Sequence, residues 1–296
     1  MLDQATILRE IVNRATPEDL EYAAPKAQPV AIAITSGKGG VGKTNVVANL
    51  AISLANLGKR VMILDADLGL GNIDVLLGLV PRYNLADFVF GNTSLEEIVI
   101  EGPSGVKIIP ASSGIEQMTA LTPDQQMSLI RGISRLGAEA DYLLIDTAAG
   151  ISGNVINFLL ASGLVIIVTS PDPTSIVDAY LMVKILAHRE SQKRVSILVN
   201  SVSGQEEAKN VFQQLDAVSR QFLNKPLELF GFVQRDKNFE QAVRQQVPFV
   251  HRFPDSVASR NIQGLAKKLH TLCYPESQQT DEEFTREHGH EDVKPS

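Results

Sequence analysis

Apolar residues along the chain fall into short unbroken runs, alternating with longer stretches in which they recur every three or four positions. The unbroken runs are rich in Val, Ile and Leu and predict strands buried on both faces. They cover Val30–Thr35, Val61–Asp65, Val106–Pro110, Tyr142–Asp146, Leu164–Thr169, Val195–Asn200 and Leu227–Val233. The periodic stretches predict helices at Thr44–Asn56, Pro123–Leu136, Ser152–Ala161, Ser175–Arg189, Glu206–Phe222, Phe239–Gln245 and Ser256–Leu272. Strand and helix alternate, so the expected fold is α/β: a mostly parallel, twisted sheet of about seven or eight strands with helices on both faces. Residues 1–14 predict a short helix capped by Asp3, with Ile7, Leu8, Ile11 and Val12 at helical spacing. Residues 15–29, with three prolines, read as a linker, 30–273 as the main domain, and 274–296 as an acidic tail too poor in apolar groups to fold.

Composition narrows the function. Of the formal net charge of −7, the last 21 residues hold −5 (seven acids, two bases), leaving −2 for the rest. So neutral a body predicts no direct DNA binding. The single cysteine, Cys273, excludes an internal disulfide or a thiolate cluster within one chain. The first 14 residues contain Asp3 and Glu10 and do not resemble a signal peptide, and no apolar run reaches the ~18 residues of a membrane span, which predicts a cytoplasmic protein.

The chemistry begins between the first strand and the first long helix, where residues 37–44 read GKGGVGKT. A GxxxxGK[ST] loop in that setting cradles phosphates: Gly37, Gly39, Gly40 and Gly42 let the backbone turn its N–H groups inward, and the following helix adds the positive end of its dipole. Lys43 then reaches the β- and γ-phosphates, Thr44 holds Mg²⁺, and Val41 and Asn45 complete the nucleotide-binding segment. Two further strand ends carry carboxylates. Asp65 and Asp67 lie two residues apart, on one side of an extended chain, and serve either as loop caps or as a pair beside MgATP, one on metal-bound water and one on the attacking water. Leu143–Asp146 is an apolar run ending in Asp, the layout in which a carboxylate engages Mg²⁺; Gly150 beyond it is a candidate backbone switch near a γ-phosphate.

Lys38 is an extra lysine that the general loop pattern does not require. KGGVGKT resembles the deviant Walker A ATPases, the family that holds MinD and ParA. That resemblance implies ATP and Mg²⁺ as cofactors, Asp65 on metal-bound water, Asp67 (with Lys38 and Lys43 as the catalytic lysines) orienting the attacking water, and Lys38 crossing a homodimer interface to the partner's nucleotide. It also places an adenine contact at Asn200, nucleotide-edge contacts at Gln234 and Asp236, and Asp178 at the dimer interface as a partner for the signature lysine. By itself Asn200 reads equally as a turn residue, and Asp178, in what is expected to be the first turn of a helix, as a dipole cap. The chain departs from the family pattern in two places: Thr147-Ala148-Ala149 lacks the proline common before Gly150, and Gln234 stands where a proline is usual.

Residues 64–79 (LDADLGLGNIDVLLGL), 145–152 (IDTAAGIS) and 170–186 (SPDPTSIVDAYLMVKIL) narrow the resemblance to the FlhG/FleN group of MinD-like ATPases. That group implies a slow, dimer-dependent ATPase controlling flagellar number and placement. Its partners are an FlhF-type signal-recognition GTPase, flagellar switch-complex proteins and a flagellar transcription activator. The start, Asp3-Gln4-Ala5 with Leu8-Arg9, is similar to the element that engages and stimulates that GTPase. The alternative is a MinD- or ParA-type positioning ATPase for a septum or for DNA. The stripe Val257, Ile262, Leu265, Leu269 and Leu272 suits either a packed final helix or one lying on lipid; the absence of Trp and Phe and the acidic tail favour packing, so membrane contact is expected to be weak, at the inner face of the flagellated pole.

Overall fold

The computed structural model describes residues 29–274 except 113, 114, 116, 117, 119 and 120. The partner-binding candidates Asp3, Gln4, Ala5, Leu8 and Arg9 and the acidic tail lie outside the described residues.

Eight strands form one sheet: β1 (Val30–Thr35), β2 (Val61–Ala66), β3 (Ile100–Glu101), β4 (Lys107–Ile109), β5 (Tyr142–Thr147), β6 (Leu164–Thr169), β7 (Val195–Val202) and β8 (Glu228–Gln234). Their spatial order is β3-β4-β2-β5-β1-β6-β7-β8, and every neighbouring pair is parallel except β3 with β4. Within β1, Ile32 and Ile34 enter one buried cluster and Ala33 the other, as strand alternation requires of a sheet covered on both sides.

The helices are α1 (Lys43–Ala55), α2 (Ile73–Leu76), α3 (Leu85–Val89), α4 (Leu95–Ile98), α5 (Pro123–Gly137), α6 (Gly153–Ala161), α7 (Pro173–Arg189), α8 (Gln205–Leu223), α9 (Phe239–Arg244), α10 (Phe249–Arg252) and α11 (Val257–Cys273). α1 is apolar almost all round because it is enclosed, lying between the sheet and α11. α11 turns Ala258, Ile262, Leu265, Ala266 and Leu269 into the same core, so most of its apolar stripe is already covered by protein.

From β1 the chain crosses through α1 to β2 on one side; from β5 it crosses through α6 to β6 on the other. The two connections diverge above the carboxyl ends of β1 and β5, which opens the crevice where ligands bind in doubly wound sheets.

The seven sequence-predicted strands are present, two with the predicted bounds and the others with ends shifted by at most two residues. β3 was not expected, since two residues carry no pattern. The short α3 and α4 open with capping boxes, Asn84 with Asp87 and Ser94 with Glu97, a signal visible in the sequence. α7 corrects its predicted start: Pro173 takes the first helical position and Asp172 caps it, so the helix begins two residues before Ser175. Asp178 therefore falls in its second turn, beyond the reach of a dipole cap.

Candidate nucleotide site

The loop from Ser36 to Gly42 joins β1 to α1. Gly40 and Gly42 adopt positive φ of 80° and 83°, in the left-handed region that glycine enters without steric cost. Two other contacts restrict the loop to glycine. A Cβ on Gly37 would lie 2.4 Å from the Asp178 carbonyl oxygen, and one on Gly42 would lie 2.5 Å from Asn200 Nδ2. Gly42 is the N-cap of α1, so no side chain satisfies the first-turn N–H groups, and that turn contains no acid. A thirteen-residue helix left open in this way beside a glycine cradle fits an anion.

Strand register brings the acids together. Asp65 on β2 and Asp146 on β5 are direct partners, both buried. Lys43 Nζ donates to Asp146 Oδ1 from a buried position, and the Thr44 hydroxyl also bonds that carboxylate. Burial nonetheless raises the Asp146 pKa, against the pull of Lys43. Asp65 is pushed up to about 7, first by burial and then by the charge of Asp146. Its Oδ1 accepts from the Asp67 N–H and its Oδ2 from the Ile73 N–H, both at 3.2 Å. Asp65 thus also holds the 66–73 loop in place. Asp67 is half-buried and accepts from the Leu70 N–H at 3.2 Å. Gly71 fits against this carboxylate only without a side chain, since a Cβ there would lie 2.1 Å from Ala111 Cβ and 2.8 Å from Asp65 Oδ2.

Lys38 stands on the open rim. Its Nζ donates to Asp172 Oδ2 at 3.1 Å and to Thr174 Oγ1 at 2.6 Å. The Thr174 hydroxyl and then the Lys38 amine hold Asp172 down at about 2. The lysine thus rests on the cap of α7 within its own chain, while Asp178 packs against the loop at Gly37.

The remaining candidates divide. Asn200 is buried against the loop and donates from Nδ2 to the Val41 carbonyl at 2.7 Å. Gly150, at φ 92°, donates its N–H to the Ser36 carbonyl at 2.9 Å, tying the segment after β5 to the cradle. Asn45 lends its carbonyl to Asn49. Gln234 turns away to the Ser203 carbonyl at 3.0 Å, and Asp236 caps Asn238 at 2.9 Å. Sequence reasoning missed Asp172, Thr174, Ser36 and Asn49. The Asp-Pro-Thr helix start flags the first two. Asn49, an amide amid the apolar residues of α1, joins that helix to α10 through the Val250 N–H at 3.0 Å.

Residues 32–249 match the model of the CobQ/CobB/MinD/ParA nucleotide-binding domain. The chain belongs to this family. It is 43% identical over 244 residues to the antiactivator FleN of Pseudomonas aeruginosa, covering 82% of this chain and 87% of FleN. It is 32% identical to the flagellum site-determining protein YlxH of Helicobacter pylori, over 91% of this chain and 90% of YlxH. Among solved structures, the MinD of Pyrococcus horikoshii complexed with Mg-ADP superposes with a TM-score of 0.69 at 24% identity, over 84% of this chain and 98% of that one.

A MinD/ParA-type site requires both a phosphate cradle and a place for Mg²⁺, and the residues present fit both. Among the described residues no three His, Cys, Asp or Glu side chains gather into a protein-only metal cage. Mg²⁺ suits such a site, because it keeps waters and takes ligands from phosphates together with one or two protein oxygens, here Thr44 Oγ1 and Asp146. Asp65 lies beside Asp146 in register on the neighbouring strand.

The raised pKa of Asp65 makes stability depend on pH. Between its unfolded value near 4 and about 7, the folded chain holds a proton that the unfolded chain has lost, so this component of stability falls as pH rises through that window and is flat above it. One unit corresponds to ~1.4 kcal/mol, so the component is on the order of a few kcal/mol. Urea unfolding without nucleotide or metal should show Asp65→Asn gaining on the wild type between pH 5 and pH 8; a constant difference would mean that Asp65 stays ionised.

Proposed function

We propose that the chain is an ATP-driven, dimerising switch that controls flagellar number and placement. The observation that carries this reading is Lys38. A lysine with no phosphate to serve in its own cradle stands at the rim of the crevice, held by two side-chain oxygens from which it can be released. Two facing copies would each present that amine to the other's nucleotide, neutralising charge that Lys43 alone cannot. MgATP binds at residues 37–45 with Thr44 and Asp146 on the metal. Asp67 positions a water in line with the γ-phosphate, and hydrolysis releases the pair. Catalysis of this kind rests on positioning and charge stabilisation. Gly150 carries the state of the γ-phosphate into α6 through its bond to Ser36.

Similarity to FleN and YlxH supports the flagellar role. The partners proposed with it are an FlhF-type GTPase, engaged through residues 3–9, together with switch-complex proteins and a flagellar transcription activator. Among the described residues no helix is long and apolar enough to cross a membrane. The covered stripe of α11 leaves weak peripheral contact with the inner face of the cell membrane as the proposed location.

With MgATP, Asp67→Ala should accumulate as a dimer on size exclusion while the wild type cycles back to monomer. A persistent monomer removes Asp67 from the hydrolytic step. In a GTPase assay with an FlhF-type partner, the full chain should accelerate turnover and Gln4→Ala should not; equal rates would remove the flagellar GTPase from the reading.

A further inference from the structure

On the face opposite α1, helices α6 and α7 flank a groove of about 660 Å³. Its lining is mixed: Ile156, Leu160, Leu181 and Ile185 form the apolar part of the floor, and Asn157, Lys184, His188 and Arg189 supply the polar part. Leu181 is 42% exposed although it faces this floor, and Ile151 at the upper end is 54% exposed. The lower end is basic: Lys184, His188 and Arg189 are all exposed along one side of α7. A groove with an apolar strip and a cationic end suits a short acidic segment with apolar residues at intervals.

The chain supplies one. Residues 17–24 read PEDLEYAA, with Glu18, Asp19 and Glu21 around Leu20 and Tyr22. In an extended segment Leu20 and Tyr22 share one side and Asp19 and Glu21 the other, so two apolar groups can face the floor while the acids meet the rim. The point of entry fits as well. The Gly163 N–H just beyond α6 donates to the Ala31 carbonyl at 2.9 Å, two residues from Pro29, where the described chain begins. Lys193, four residues past Arg189, donates to the Leu160 carbonyl at 2.7 Å. The ends of both helices, and with them the basic end of the groove, therefore lie beside the place from which residues 17–24 depart. Those residues are five to twelve positions upstream of Pro29, a reach of up to ~40 Å when extended, against the ~12 Å that α7 rises from Leu181 to Arg189.

We propose that the α6–α7 groove is the docking site for residues 17–24 of the same chain, its acids paired with Lys184, His188 and Arg189. Docking there ties the N-terminal segment to the helix that follows Gly150, on the face of the sheet away from α1. It requires neither nucleotide nor the switch described above.

Hydrogen exchange of the full chain, read on the segments 151–161 and 181–189, tests it. Glu18→Lys with Asp19→Lys and Glu21→Lys should speed exchange there by roughly fivefold, the scale of three exposed ion pairs lost together. Exchange in β1 and β5 should stay unchanged, which serves as the control for folding. Adding Lys184→Glu and Arg189→Glu to the triple variant should restore the slow rate. Identical exchange in wild type and triple variant overturns the proposal, and so does failure of the second pair of substitutions to restore it. Protection that grows with protein concentration also overturns it, because it puts a second copy in the groove.

Discussion

Lys43→Ala loses nucleotide binding and fold stability together. Without the amine, the β-phosphate loses charge-assisted hydrogen bonds on the order of 2–4 kcal/mol, or roughly 30- to 1,000-fold in affinity for MgADP. Asp146 is left buried with its main counter-charge gone, and breaking a buried pair from one side costs ~3–5 kcal/mol. The two losses can be separated. Asp146→Asn added to Lys43→Ala removes the stranded charge and should recover most of the urea midpoint, while titration calorimetry still finds no tight nucleotide binding. The stability loss of the single variant should also shrink as pH falls, because burial already raises the Asp146 pKa and the lone carboxyl then takes up a proton. A Lys43→Ala chain as stable as the wild type at pH 8 would show that the pair contributes nothing to the fold.

Lys38 should behave in the opposite manner. Lys38→Ala leaves stability almost unchanged, since its pair with Asp172 is half-exposed and such pairs are worth ~0–1 kcal/mol. It should, however, abolish the dimer that MgATP induces in an Asp67→Ala background, read by sedimentation velocity. The contact with Asp172 and Thr174 competes with the contact to a partner, so weakening it should favour association. Asp172→Asn retains the cap on the Thr174 N–H but removes the charge, and should lower the MgATP needed for half-maximal dimer by about two- to fivefold, as expected of one exposed pair. Combined with Lys38→Ala, Asp172→Asn should have no further effect. A dimer that forms equally well without Lys38 would end the argument for a lysine lent between subunits.

The legible part of the site is the part written in contiguous residues. Residues 37–44 announce a phosphate cradle because each residue acts through its own backbone or through a side chain aimed at the ligand. Asp65 and Asp146 could be selected because strand ends in a doubly wound sheet point into one crevice. The resemblance gives Asn200 an adenine contact, but its bond to the Val41 carbonyl depends on how β7 lies beside the loop. The resemblance places Gln234 and Asp236 at the nucleotide edge; in the chain alone Gln234 donates to the Ser203 carbonyl and Asp236 accepts from the Asn238 N–H, contacts that no local pattern gives. That Asp172 holds Lys38 within the chain depends on α7 starting two residues earlier than its periodicity suggests, a start set by proline at the first position.

By itself the sequence determined the fold class, most of the strands and the identity of the phosphate loop. These follow from local chemistry: the alternation of buried strand and amphipathic helix, and loop glycines that enter positive φ without steric cost. Only the tertiary structure decided which carboxylate neutralises Lys43, where Lys38 rests, that Asp65 sits buried in register with Asp146, which raises its pKa, and that most of the apolar stripe of α11 packs on α1. Each depends on strand order, register or a helix start, which bring together side chains 81 or more residues apart and which no local pattern encodes.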